Sequence, residues 1–225
     1  MSYKTIKHNP YKIVQMFEEE VAEYTGAPYA VAVDSCTNAI FLCLMYFRHV
    51  GSCDPAIGRG SHNLFSEEVF VPKKTYLSVP QSVIHAGYTP VFVDKKWSGT
   101  YQLEPYPLID AAKRLTSDMY MGGSFMCLSF HIKKTLSIGK GGMILTDNKN
   151  AVEWLKKARY EGRSEKKYDE DNIQMLGWNM YMTPQEAAHG LALMQNYPLY
   201  VPDLGENGGY KDLTTNDVFK KYRII

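Results

Sequence analysis

Between residues 11 and 94 the chain alternates helix-like and strand-like segments, and this rhythm limits its possible folds more than any other feature. Residues 11–25 place Ile13, Phe17, Val21 and Tyr24 at i, i+4, i+8 and i+11, with glutamates at 18, 19, 20 and 23 largely opposite. That is the pattern of an amphipathic helix, stopped by Gly26. A short apolar strand follows at 29–33, then an apolar helix over 37–47 and a Gly/Ser/Pro-rich loop over 51–63. A second strand at 69–71, a short helix over 76–85 and a third strand at 91–94 continue the series. Strands alternating with helices predict an α/β fold on a mostly parallel, mixed sheet flanked by helices.

Beyond residue 94 the rhythm compresses. Strand candidates lie at 108–110, 125–130 and 142–146, and the last two can hairpin across the glycines at 139–141. A charged helix over 151–160, a polar loop over 161–172 and a helix over 183–195 follow. Thr183, Pro184 and Glu186 form a capping-box start for that last helix. After Pro198 periodicity fades, so residues 199–225 read as an irregular tail on a large domain spanning 1–198.

Composition excludes several classes. With 225 residues, 45% hydrophobic and 22% charged, the chain can bury a core without staples. A net charge of +1 offers no global attraction for nucleic acid or anionic membrane. No apolar run reaches spanning length and no signal peptide is evident, which predicts a soluble, cytoplasmic protein. Cys36, Cys43, Cys53 and Cys127 lack paired metal-ligand spacing and read as free thiols, with Cys36 and Cys43 packed on one helix face. No metal site is expected. Seventeen tyrosines imply rings buried or placed in sites.

Three segments can carry chemistry. Ser129-Phe130-His131-Ile132-Lys133-Lys134, followed by Gly139-Lys140-Gly141-Gly142, combines a strand end, two lysines and a glycine turn. Asp110 ends a strand, where α/β sheets bind ligands. Asp34-Ser35-Cys36-Thr37-Asn38 joins a strand to a helix and offers free N–H groups to an anion. Each has a plainer reading: a helix cap, a hairpin turn, a solvated lysine pair. The glycine run is not a P-loop, because no Ser or Thr follows Lys140 and the spacing is wrong.

Their order and spacing resemble the DegT/DnrJ/StrS family of sugar-nucleotide aminotransferases, enzymes of pyridoxal phosphate (PLP) with the fold-type I large domain. The likeness runs from Phe17-Glu18 and Tyr24-Thr25-Gly26 through Ser35-Cys36-Thr37, Val71-Pro72, Thr75-Tyr76 and Pro90-Val91-Phe92-Val93-Asp94. It continues through Asp110-Ala111-Ala112, the lysine motif, Gly177-Trp178-Asn179 and Ala187-Ala188. The resemblance implies that Lys134 binds PLP covalently, with Lys133 as the rival, and that Asp110 pairs with the ring nitrogen. It implies that Tyr76 stacks on the ring. Cys36, Thr37, Asn38 and Ser129 would hold the phosphate. Asn179 would reach the phosphate in a neighbouring subunit, making a homodimer with shared sites. The substrates implied are an amino donor, glutamate, and a nucleotide-linked keto sugar of polysaccharide biosynthesis.

The match departs from the family in three places. Lys113 stands where the family has Gln or His against the cofactor's phenolic oxygen. The stretch from Gln102 to Leu108 is too short for the usual helix–strand unit, so the sheet should lack a strand or the tail should replace it. The small C-terminal domain is expected to be absent. Alternatives are a non-catalytic PLP-binding regulator or scaffold, a PLP-dependent sugar dehydratase, and a plain α/β binding module. The dehydratase reading is disfavoured by Lys134, since the best-known dehydratases carry His there.

Overall fold

A computed structural model describes residue 9, residues 11–53 and residues 66–225. The first helix, α1 (Lys12–Thr25), buries Phe17 and Val21 as its spacing predicts. Gly26 ends it with φ 73°, a left-handed conformation that suits glycine. Then come β1 (Tyr29–Val33), α2 (Cys36–Cys53), β2 (Glu68–Pro72), α3 (Ser78–His85) and β3 (Thr89–Val93). The expected loop over 51–63 is shorter at its start, because 51–53 complete α2; residues 54–63 lie outside the described residues.

The second half holds β4 (Tyr101–Gln102), β5 (Leu108–Asp110), β6 (Phe125–Ser129), β7 (Gly142–Thr146), α4 (Lys149–Ala158) and α5 (Pro184–Met194). Asn148 caps α4 through its side chain, and α5 starts with the Thr183/Glu186 capping box read from sequence.

Five strands form one sheet in the order β1-β7-β6-β5-β4, and β2 and β3 form another. The sheet is mixed, as expected, but its parallel share is smaller. Among the described strands, β5–β6 and β2–β3 pair in parallel, whereas β1–β7, β6–β7 and β4–β5 are antiparallel. Short connections reverse the chain at β4–β5 and β6–β7, permitting a return but not a crossover, and the reversed β7 therefore meets β1 antiparallel. β4 turns into β5 within residues 103–107, and β6 returns as β7 after the glycine turn.

The gap expected before β5 is filled locally and not by the tail. The Leu103 N–H bonds the Leu108 carbonyl, and the Phe70 N–H bonds the Glu104 carbonyl, each at 2.8 Å. Residues 101–104 thereby bridge β5 to β2. The end of the tail instead joins β3, where Phe92 exchanges bonds with Arg223 and Ile225 at 2.9 Å.

Alternation along the strands divides the core between two faces. Val31, Val33, Phe125, Cys127 and Ile144 pack toward α2, α3 and α4. Ala30, Ala32, Met126, Leu128, Met143 and Leu145 pack toward α1 and α5. Glu18 departs from its expected solvent face. It is buried and bonds Arg159 at 2.5 Å, Lys156 at 2.9 Å and the Ala32 N–H at 2.9 Å. Cys36, Cys43 and Cys127 are buried free thiols. Among the described residues no helix is long and apolar enough to cross a membrane.

Residues 199–225 have three 3-10 turns, at Asn207–Gly209, Leu213–Thr215 and Asp217–Phe219. They are nevertheless pinned to the body. Arg114 holds Asp203 through two bonds of 2.8 and 2.6 Å, and Leu213 and Phe219 are buried.

Candidate active site

β1, β5 and β6 run in one direction and β7 in the other, so the ends of the first three and the start of β7 meet at one sheet edge. Asp34 to Cys36, Asp110, Ser129 and Gly142 all lie at that edge. A cleft of about 570 Å³ opens there. Its lining includes Cys36, Thr37, Tyr76, Asp110, Lys113, Ser129 and Lys134, seven of the nine cofactor-contacting residues expected from sequence.

Lys134 sits in a tight turn, its N–H on the His131 carbonyl at 2.8 Å. Burial pushes its ammonium below the usual lysine range; Lys113 adds to this, while Cys36 and Asp110 oppose it. Lys133 also lines the cleft but is exposed, and Lys140 pairs with Asp34 at 3.2 Å. Of the three lysines, Lys134 is the half-buried one.

Asp110 is buried. Burial pushes its carboxyl up, while the Tyr101 hydroxyl, the Ala112 N–H and the charges of Lys134 and Lys113 pull it down. Tyr101 donates to Oδ2 at 2.5 Å and Ala112 to Oδ1 at 2.8 Å. Two directed donors therefore already fix this carboxyl group.

The anion-binding end is the start of α2. The first N–H groups of a helix have no carbonyl partner within it and face an anion with a positive dipole end. Gly142 packs beneath this turn so closely that a side chain would strike the backbone of Ser35 and Cys36. Thr37 and Ser78 share a hydroxyl hydrogen bond of 2.7 Å at the cleft. The Cys36 thiol points inward to the Cys127 carbonyl at 3.4 Å, and burial pushes it well above the usual thiol range. Cys36 therefore offers its backbone, not its sulfur.

Two expected residues lie apart from the cleft lining. Asn38 turns its amide to Asp34 at 2.7 Å, and its own N–H is taken by the Ser35 hydroxyl at 3.2 Å. Asn179 is exposed and donates to Glu161 at 2.6 Å. The apolar residues around it divide: Met182 is buried, Met175, Trp178 and Met180 pack on the core, and Leu176 is 92% exposed.

Ser78 and four further residues at or behind the cleft were missed. Tyr101 and Thr75 sit behind Asp110, while Trp97 and Tyr210 form a wall. The tight return around Gln102–Leu108 was the available signal for Tyr101, since it places that residue directly opposite Asp110. Tyr210 comes from the aperiodic tail and had no signal. Its ring lies 5.8 Å from that of Tyr76, under the Lys113 ammonium at 5.1 Å. Burial, Asp110 and Tyr76 push its hydroxyl to about 12.

The residues present fit pyridoxal phosphate. The cleft offers a half-buried lysine, a buried acid, and a helix start cradled by a glycine that no larger residue could replace without displacement.

The sequence profile of the DegT/DnrJ/EryC1/StrS aminotransferase family matches residues 3–118 and 108–201. The two matches overlap at β5, where the chain departs from the usual spacing. The spore coat polysaccharide biosynthesis protein SpsC of Bacillus subtilis is 28% identical over 229 residues, covering 79% of this chain and 55% of that protein. GDP-perosamine synthase of Caulobacter vibrioides is 25% identical over 228 residues, covering 82% and 57%. The chain thus spans somewhat over half the length of these curated relatives. Among solved structures, a DegT/DnrJ/EryC1/StrS aminotransferase from Brucella abortus has a TM-score of 0.67 at 18% identity, covering 95% of this chain and 80% of that one. PseC of Helicobacter pylori, an aminotransferase of pseudaminic acid biosynthesis, has a TM-score of 0.65 at 19% identity, covering 83% and 58%. The fold is therefore that of these aminotransferases, and with a profile match running through Asp110, the lysine loop and α5, the chain belongs to the DegT/DnrJ/EryC1/StrS aminotransferase family.

Proposed function

We propose that the protein is a PLP-dependent aminotransferase that moves an amino group, with glutamate as donor, to a nucleotide-linked keto sugar. The observation that carries this reading is the convergence of Lys134, Asp110 and the start of α2 on one cleft. The sugar-nucleotide substrate is inferred from relatives such as GDP-perosamine synthase.

When bound, pyridoxal phosphate supplies an electron sink for amino transfer. Lys134 Nζ would hold it covalently and, when free, take and return a proton; its lowered proton affinity raises the fraction of free amine available for both tasks. Asp110 would present a carboxylate to the ring nitrogen. The Cys36 and Thr37 N–H groups, with the hydroxyls of Thr37, Ser78 and Ser129, would hold the phosphate by charge-assisted hydrogen bonds. Tyr76 would cover one ring face, and the Lys113 ammonium would face the phenolic oxygen.

The protein would work in the cytoplasm as a homodimer. Asn179 would turn from Glu161 to the phosphate site of the other subunit. Residues 1–198 would form the cofactor-binding domain. The tail from 199 onward would close the cleft with Tyr210.

Visible absorption tests the reading. The purified protein with added pyridoxal phosphate should turn yellow and bleach on addition of glutamate. No colour would sink the cofactor assignment. Colour without bleaching by glutamate or other amino donors would identify a PLP-binding protein that does not transaminate.

A further inference from the structure

We propose that Tyr101 is a positioning residue for the Asp110 carboxylate, and that Thr75 in turn orients Tyr101. The three groups form a directed chain: the Thr75 hydroxyl donates to Tyr101, and Tyr101 donates to Asp110 Oδ2. The proposal rests on reading the cleft as a pyridoxal phosphate site, where this carboxylate meets the ring nitrogen.

The geometry determines the direction of the chain. The Tyr101 hydroxyl lies 2.5 Å from Asp110 Oδ2 and also hydrogen-bonds Thr75 Oγ1. A phenol has one proton, and an ionised carboxylate can only accept. Tyr101 therefore gives its proton to Asp110 and receives one from Thr75. Both Tyr101 and Thr75 are buried, so water does not compete for these bonds. The register places Tyr101 of β4 directly opposite Asp110 of β5. The Trp97 ring lies 4.7 Å from that of Tyr101, and its own N–H is tied to the Lys74 carbonyl at 2.9 Å.

The chain acts on a carboxyl group whose proton affinity burial raises. The groups facing Asp110 are Tyr101 from β4, Cys36 from α2, Cys127 from β6, Lys113 and Lys134 from the loops, and Tyr210 from the tail. The two lysines are the cations among them. Both have other duties in the proposed reaction, so neither is reserved for Asp110. Tyr101 is a donor that is so reserved. With Tyr101 on Oδ2 and the Ala112 N–H on Oδ1, the carboxylate cannot rotate, and each oxygen retains a lone pair for a ring N–H.

Tyr101→Phe and Thr75→Val test this by two readouts. The first is the carboxyl carbon of Asp110, followed by NMR through a pH titration of protein without cofactor and assigned by its loss in Asp110→Asn. The second is the dissociation constant for pyridoxal phosphate. Tyr101→Phe should move the Asp110 midpoint upward and weaken cofactor binding roughly tenfold or more, as loss of a hydrogen bond to a charged group does. Thr75→Val should shift both in the same direction by less, and it provides the test if Tyr101→Phe does not fold. An unmoved Asp110 midpoint in the folded variant would overturn the proposal. Wild-type protein that fails to bind pyridoxal phosphate would instead sink the reading of the cleft, and the titration would still decide whether Tyr101 governs Asp110.

Discussion

A β-carbon on Gly142 would lie 2.4 Å from the carbonyl carbon of Ser35 and 2.5 Å from the nitrogen of Cys36. The first residue of β7 thus supports the turn that starts α2. Those contacts are with backbone, which cannot swing aside as a side chain can. Gly142→Ala should push the helix start outward, weaken pyridoxal phosphate binding, and cost about 1–3 kcal/mol of stability, the range for overpacking. Cofactor titration and urea unfolding measure the two effects. Unchanged cofactor affinity in the variant would show that the phosphate sits elsewhere.

Lys134 should be the residue labelled when the protein is incubated with pyridoxal phosphate and reduced with borohydride. Its half-buried position and lowered proton affinity favour it over Lys133, which is exposed, and Lys140, which pairs with Asp34. Peptide mapping locates the label. A label on Lys133 or Lys140 would refute the assignment.

Asp110→Asn keeps the size of the side chain but removes its charge. The Tyr101 hydroxyl can still donate to the amide oxygen, while the Ala112 N–H loses its acceptor, so the fold should survive at a cost of about 1–3 kcal/mol. The glutamate half-reaction should slow by roughly a hundredfold or more, the scale on which single preorganised electrostatic groups act. Stopped-flow absorption measures the rate, and an equal rate would leave Asp110 a structural role only.

Acid should weaken the fold through Glu18. Burial alone would raise its proton affinity, but Arg159, Lys156 and the Ala32 N–H together hold it below the usual 4.5. A carboxyl with a depressed folded value contributes stability that is present above the unfolded value and lost as pH falls through the folded one. Urea midpoints should therefore drop as pH falls below 4.5, and Glu18→Gln should flatten that dependence. Arg159→Met leaves Glu18 with Lys156 and the Ala32 N–H and should cost about 3–5 kcal/mol, the range for breaking a buried pair. A loss under about 1 kcal/mol would place the pair among those that contribute little.

Subunit sharing predicts complementation. Lys134→Ala and Asn179→Ala should each be impaired as pure proteins, and mixed dimers should regain one intact site. The exposed Leu176 beside Asn179 offers an apolar contact for a second subunit. Sedimentation as a monomer would overturn the shared-site reading, and so would the absence of recovery from two clearly impaired parents.

Local pattern was enough to locate most of the secondary structure. Apolar spacing of 3.6 and 2, the left-handed glycine at 26 and the Thr183–Glu186 capping box depend on neighbours in sequence, and α1, β1, β7 and α5 lie where those signals put them. The lysine motif and the strand end at Asp110, through their resemblance to the family, likewise picked out two residues of the cleft. What surrounds them depended on long-range contact. Sequence spacing cannot say that residues 101–104 would bridge β5 to β2, because that bridge is made of backbone hydrogen bonds with Leu108 and Phe70. Nor does it show that Glu18, on the charged side of an amphipathic helix, would be buried, because only the fold brings Arg159, the residue after α4, to it. Tyr210 is the extreme case. It lies 100 residues beyond Asp110 in a segment without periodicity, and it reaches the cleft because Asp203 is held by Arg114 and Leu213 and Phe219 are buried in the body. Local propensity acts over a few residues, whereas the cleft is closed by contacts whose partners are chosen only when the whole sheet has formed.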